Sequence, residues 1–162
     1  MARARGPALA ALLLLAAATP VRAGDYERMA SQLIRAAQSH GRLRVAVLPF
    51  QTIGGRESTS GRIVSERLVG PLSQDGSLEI VERAMLDAVM REQRLQFSGV
   101  VDSGSMKELG KILNVDALIT GTVATLKDDR LEVNARLIDS ETAKVFTVAG
   151  AKIDRDWEES IF

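Results

Sequence analysis

The 162 residues carry 21 basic and 21 acidic groups, a single histidine and no cysteine. That composition excludes disulfide staples, a zinc site built from several histidines or from histidine and cysteine in one chain, and the strongly basic footprint of a nucleic-acid binder. Aromatic residues make up only 4% of the chain and are too scattered to form a base-stacking platform.

The first 23 residues read as a secretory signal peptide. Arg3 and Arg5 supply the positive region, residues 7–18 the apolar core and Val21-Arg22-Ala23 a small-x-small cleavage site. A membrane anchor needs about 20 apolar residues, and this run is interrupted by Pro20 and Arg22. With no cysteine at the cleavage point there is no lipidation site, so the expected product is exported, is not a lipoprotein and has no transmembrane span. Removing the signal leaves 139 residues, the size of one domain. Three of the 21 basic residues and no acidic one lie in the signal, which leaves 18 basic against 21 acidic groups, a charge of −3.

Residues 25–39 place Met29, Leu33 and Ala37 at four-residue spacing beside Ile34, an amphipathic helix expected to pack on the outside of the domain. Residues 42–50 follow as a strand, and the continuous apolar run Val45 to Leu48 predicts a central, buried parallel strand that Pro49 ends at a sheet edge. The loop QTIGGREST comes next, with Gly54 and Gly55 free to take positive φ and Ser58 or Thr59 placed to cap a helix over 59–73. That helix is expected to turn Ile63, Val64, Leu68 and Leu72 inward, with Pro71 near its end. Asp75-Gly76 predicts a turn into a second strand at 78–82.

A further helix is predicted from Arg83 to about residue 96, with Leu86, Val89 and Met90 on one face, and a shorter one over 103–113 that stops near Asn114. From Ala117 the period changes to two, and strands are predicted over 117–126, 130–139 and 144–153, joined by turn-rich segments into an antiparallel meander. The order βαβααβββ predicts an α/β, or α+β, two-layer sandwich: a mixed sheet of about five strands with helices on one face, or on both in part, plus the N-terminal helix. The expected organisation is a signal peptide at 1–23, a helix at 24–41, one domain at 42–153 and a tail at 154–162, read as a frayed end or a docking peptide.

No residue pattern points to catalysis. Gly55 and Gly61-Arg62 fall short of a phosphate loop, which needs four residues between its glycines and then Lys and Ser or Thr; here five intervene and Ile63 follows Arg62. His40 sits at a helix terminus, no G-x-S-x-G elbow is present, and the Asp128-Asp129 and Glu158-Glu159 pairs fall in a turn and the tail, where carboxylates stay solvated. No catalytic, cofactor or metal-ligating residue is therefore assigned. Gly54, Gly55, Arg56 and Glu57 form the candidate partner-binding loop. Glu82 and Arg83 form a candidate structural corner, because a guanidinium offers five donors in a rigid fork for a carboxylate or backbone carbonyls.

The segments LRVAVLPF, LEIVERAMLDAVMREQRLQFSGVVD, LGKILNVDALITGTV and LEVNARLIDSETAKV, over residues 42–153, resemble the domain shared by CsgG-type curli secretion components, FlgO-type flagellar outer-membrane proteins and LpoB-type activators of penicillin-binding proteins. The resemblance implies a non-enzymatic periplasmic domain, peripheral to the outer membrane, that binds other envelope proteins and can assemble as a homo-oligomer. CsgG-type and LpoB-type proteins are usually lipoproteins, and only residues 154–162 follow the domain, which argues against pore formation by this chain alone. The absence of an anchor points to a FlgO-like assembly, scaffold or secretion-accessory factor. The alternatives are an LpoB-like activator of a penicillin-binding protein and, last, a small-ligand binder through Gly54 to Arg62. Where the family often has Thr-Gly in its last hairpin, this chain has Thr142-Ala143, so a different turn type is expected there.

Overall fold

A computed structural model describes residues 24–74, 76–92 and 103–157. The expected signal peptide, Asp75, the expected helix end near residue 96 and the last five residues lie outside the described residues. The elements are α1 (Asp25–Gln38), β1 (Leu43–Val47), β2 (Gln51–Thr52), α2 (Thr59–Ser73), β3 (Leu78–Ile80), α3 (Arg83–Glu92), α4 (Ser103–Leu113), β4 (Ala117–Thr125), β5 (Leu131–Asp139) and β6 (Val145–Ile153).

The strands form one mixed sheet in the order β3-β1-β4-β5-β6, with β2 also on β4. β1 lies between β3 and β4 and runs parallel to both, with Val45 opposite Ile80 and Ala117. Its unbroken apolar run follows from burial on two faces. Val45 and Val47 enter one core with α1 and α2, whereas Ala46 and Leu48 enter a second core with residues of α3 and α4. The helices thus cover both faces over the parallel half of the sheet, the arrangement expected of α/β proteins.

Pro49 does not put the following loop at a sheet edge. The Leu48 N–H donates to Ile119 O at 2.8 Å, the chain bends at the proline, which has no N–H to offer, and β2 then rejoins the ladder opposite Thr122 and Val123 of β4. β3 stops at Ile80, two residues earlier than expected, although the Val81 N–H still donates to Val45 O at 2.9 Å.

α1 is a core element rather than an outer one. It buries Met29, Ala30, Leu33, Ile34 and Ala37 against β6 and α2. α2 spans 59–73 as expected and is capped by Ser58, whose Oγ accepts the Gly61 N–H at 3.0 Å. Val64, Leu68 and Leu72 are buried in it, but Ile63 is only half-buried. Leu86 anchors α3, and Met106, Leu109 and Leu113 anchor α4, which ends at Asn114 in the left-handed conformation (φ 51°).

β4, β5 and β6 form the predicted meander. In β5 the residues Leu131, Val133, Ala135 and Leu137 are buried and Glu132, Asn134 and Arg136 are exposed, as a strand with one wet face requires. The β5–β6 turn is built by Asp139, whose Oδ1 accepts the Glu141 N–H at 3.1 Å and the Thr142 N–H and hydroxyl, each at 2.7 Å. Burial pushes the Asp139 carboxyl upward, but those bonds and the neighbouring His40 outweigh it and hold its pKa below the usual range. Ala143 takes φ 59°, so this turn uses the left-handed conformation that glycine would adopt there, with an alanine strained into it. Relief of about 1–2 kcal/mol of left-handed strain, less about 0.4–1 kcal/mol of unfolded-state entropy, makes Ala143→Gly a stabilising change of about 0.5–1 kcal/mol. A urea midpoint that falls for this variant would show the strain to be absent.

Residues 154–157 are folded back onto the domain rather than frayed. Arg155 pairs with Asp129 at 3.0 Å, Arg67 of α2 pairs with Asp156 at 2.5 Å, and the Trp157 ring lies 4.7 Å from the same guanidinium.

Candidate functional site

Loops at the carboxyl ends of parallel strands are where an α/β sheet presents its binding groups, because consecutive strands send their helices to opposite faces and leave a crevice between them. Here β1 leads to α2 on one face, and its neighbour β3 leads to α3 on the other. The two sets of residues singled out from sequence lie at this end of the sheet: Gly54 to Glu57 follow β2, which like β1 runs parallel to β4, and Glu82-Arg83 follow β3.

The loop after β2 is tightly tied. The Thr52 N–H donates to Arg56 O at 2.8 Å, the Gly55 N–H donates to Thr52 O at 2.8 Å, and the Arg56 N–H donates to Thr52 Oγ1 at 3.2 Å. Gly55 takes φ 75°, which closes the turn, and Gln51 bridges to Glu57. The result is a short projection whose tip carries Ile53 at 77% exposure, with Gly54, Arg56 and Glu57 also exposed. Ile53 was not among the residues picked out from sequence. Its position between Thr52 and two glycines was the available signal, since an apolar side chain at a turn tip has no core to enter.

The corner after β3 is fixed by Arg83. Its Nη1 donates to Val47 O at 3.3 Å, at the end of β1, and its Nε lies 3.3 Å from Asp87, one turn along α3. One guanidinium therefore joins β1 to α3. Glu82 is exposed beside it. Two adjoining hollows flank this corner: one of about 420 Å³ bounded by Arg62, Ile63, Glu66, Arg67, Arg83 and Asp87, and one of about 130 Å³ that reaches Val47, Val69 and Val81. The half-buried Ile63 opens into the larger of them.

The near-miss to a phosphate loop has a packing explanation. Gly61 lies in the first turn of α2, where a Cβ would come within 1.9 Å of Phe50 O, so the glycine lets the helix approach the β1–β2 connection. Its N–H is already taken by Ser58.

A larger cleft of about 520 Å³ lies among His40, Lys107, Lys111, Asp116, Asp139 and Glu141. Lys107 and Glu141 form an exposed pair at 3.9 Å, whereas three of the cleft's polar side chains are engaged by the fold. Asp116 Oδ2 accepts the Arg44 N–H at 2.8 Å, Asp139 holds the β5–β6 turn, and the buried Ser140 hydroxyl reaches Val115 O at 2.7 Å and Asp116 O at 3.0 Å. His40 stacks on Phe146, with ring centroids 4.0 Å apart, and its Nδ1 lies 3.0 Å from Ala36 O. Among the described residues, no group of three or more His, Asp or Glu is placed to hold a metal ion, and no helix is long and apolar enough to cross a membrane.

Over residues 27–129 the sequence matches the family described as the curli production assembly/transport component CsgG. The chain belongs to the CsgG family. Within this family the matched segment takes in α1 from its first turn, in keeping with the burial of that helix in the main core. No curated protein matches the sequence. Solved structures share the fold at low identity. The LpoB C-terminal domain from Salmonella enterica matches with a TM-score of 0.61 and 10% identity, over 80% of this chain and 96% of that one. The LpoB C-terminal domain from Escherichia coli gives 0.61 and 10% over 81% and 98%. The lipoprotein GNA1162 from Neisseria meningitidis gives 0.58 and 18% over 72% and 85%.

Proposed function

We propose that this CsgG-family domain works in the bacterial envelope by binding another protein, and that its partner is a penicillin-binding protein whose activity it raises, in the manner of LpoB-type activators. The supporting observation is that the fold accounts for 96% and 98% of two LpoB C-terminal domains. The ordered projection with Ile53 at its tip supplies what a protein interface needs: an apolar anchor on a rigid base with charged neighbours. In this reading the domain is non-enzymatic and uses no cofactor. Gly54, Gly55, Arg56 and Glu57 present the partner-binding loop, and Glu82-Arg83 hold the corner behind it. The chain is exported by its signal peptide, acts in the periplasm and is peripheral to the outer membrane.

A second reading rests on the CsgG match itself: an assembly or secretion-accessory scaffold of FlgO-like character that binds its own copies or flagellar and outer-membrane components. One experiment separates the two. The mature chain is tested by interferometry against penicillin-binding proteins of the same bacterium, with glycan polymerisation assayed in parallel and mass measured by sedimentation. The activator reading expects a one-to-one complex and faster polymerisation, and Ile53→Asp should weaken binding at least about tenfold without lowering the melting temperature. Self-association into a ring-sized complex that ignores every synthase would replace it with the scaffold.

A further inference from the structure

The contacts of residues 154–157 point to a recognition site already in use. Trp157 and Tyr26 of α1 each pack on the main core; the Trp157 ring lies against the Arg67 guanidinium of α2, and the preceding Asp156 is paired to that same guanidinium. Tyr26 lies within electrostatic reach of both Arg67 and Asp156, and burial pushes its hydroxyl pKa upward, partly offset by the Arg67 charge. One arginine is thus read twice by two successive residues, through charge by the acid and through its face by the indole.

The closed arrangement is weakly held. The Asp156 side chain is 66% exposed, and the Arg155–Asp129 pair is exposed on its acidic side as well, so both ion pairs are screened by salt. Among the described residues the buried indole Nε1 finds no hydrogen-bond partner, which opposes closure. Because the acidic partner in each of these two pairs is open to solvent, the segment is displaceable.

We propose that the seam between α1 and α2 is a docking site for a partner segment bearing an acidic residue followed by an aromatic one, and that the chain's own Asp156-Trp157 occupies it in cis as a tethered competitor. The occupant's chemistry is read from the segment seated there and from its complementarity to Arg67. This goes beyond the activator reading and holds whether the loop after β2 binds a synthase or another partner.

The test uses the mature chain with Trp157→Ala and a fluorescein-labelled synthetic peptide with the sequence of residues 154–159. Anisotropy should show saturable binding to Trp157→Ala, at least about tenfold weaker binding to the wild type because its tethered tail competes at high effective concentration, and loss of binding when Arg67→Ala is added. No saturable binding to a Trp157→Ala chain with native circular dichroism, or equal binding to the wild type, would overturn the proposal. The wild type gives an answer that does not depend on how any variant folds, since Trp157 is its only tryptophan. Raising salt to about 0.5 M should shift the tryptophan emission to the red, well below the unfolding transition, as the pairs are screened. Emission that stays constant until global unfolding would mean a fixed structural terminus and would also overturn it.

Discussion

Gly61→Ala is expected to destabilise the domain by about 3 kcal/mol or more, at the upper end of what overpacking costs. Helix propensity alone predicts the opposite sign, because alanine is favoured over glycine by about 1 kcal/mol inside a helix. The added methyl would fall 1.9 Å from Phe50 O and 2.7 Å from its carbonyl carbon, so the obstacle is backbone and not a side-chain end that can swing away. That backbone cannot retreat easily. It is held on one side by the Leu48 N–H on Ile119 O and on the other by β2 on β4. A urea melt decides the matter, and an unchanged or raised midpoint would mean that α2 does not approach the β1–β2 connection so closely.

Phe50→Ala is expected to cost about 3–5 kcal/mol, the range for truncating a fully buried phenylalanine. Phe50 is fully buried, in the main core with Val64, Leu68 and Val123. Its ring edge fills the space above Gly121, where a Cβ would lie 2.6 Å from two ring carbons and the same distance from Asn134 O. The two positions must therefore couple. Gly121→Ala should cost less in the Phe50→Ala background than in the wild type, and by more than the few tenths of a kcal/mol that independent sites allow. Strict additivity in a double-mutant cycle of urea midpoints would show that the ring and Gly121 do not share this space.

These two residues mark where reading along the chain stops being sufficient. Gly61 invites comparison with a nucleotide loop because only its sequence neighbours are visible there. Its reason is a carbonyl eleven residues away, brought close by β2 returning to β4. Gly121 lies within a period-two strand, and nothing local reveals that an aromatic ring leans on it. In the candidate site, Gly54 to Glu57 and Arg83 stand out by residue type, whereas Ile53 emerges only because the Thr52–Arg56 bonds force it outward. The tail reads as charged, and its fold-back depends on Arg67 offering an N–H to Asp156 and its face to Trp157.

By itself the sequence determined the elements whose cause is local. Alternation settled the bounds of β4, β5 and β6 to within a residue, and apolar spacing with a cap at Ser58 or Thr59 settled the span of α2, the choice of Ser58 being left to the structure. The unbroken run Val45 to Leu48 determined that β1 is buried on both faces. Tertiary structure decided which helices cover which face, that α1 belongs to the core, that the sheet resumes after Pro49 and that Ala143 is held in a left-handed turn. The physical reason is one of range. Propensity, capping and periodicity act within a few residues, whereas pairing β1 with β4 joins residues some seventy positions apart, and only the shared burial of the whole core selects that arrangement over others.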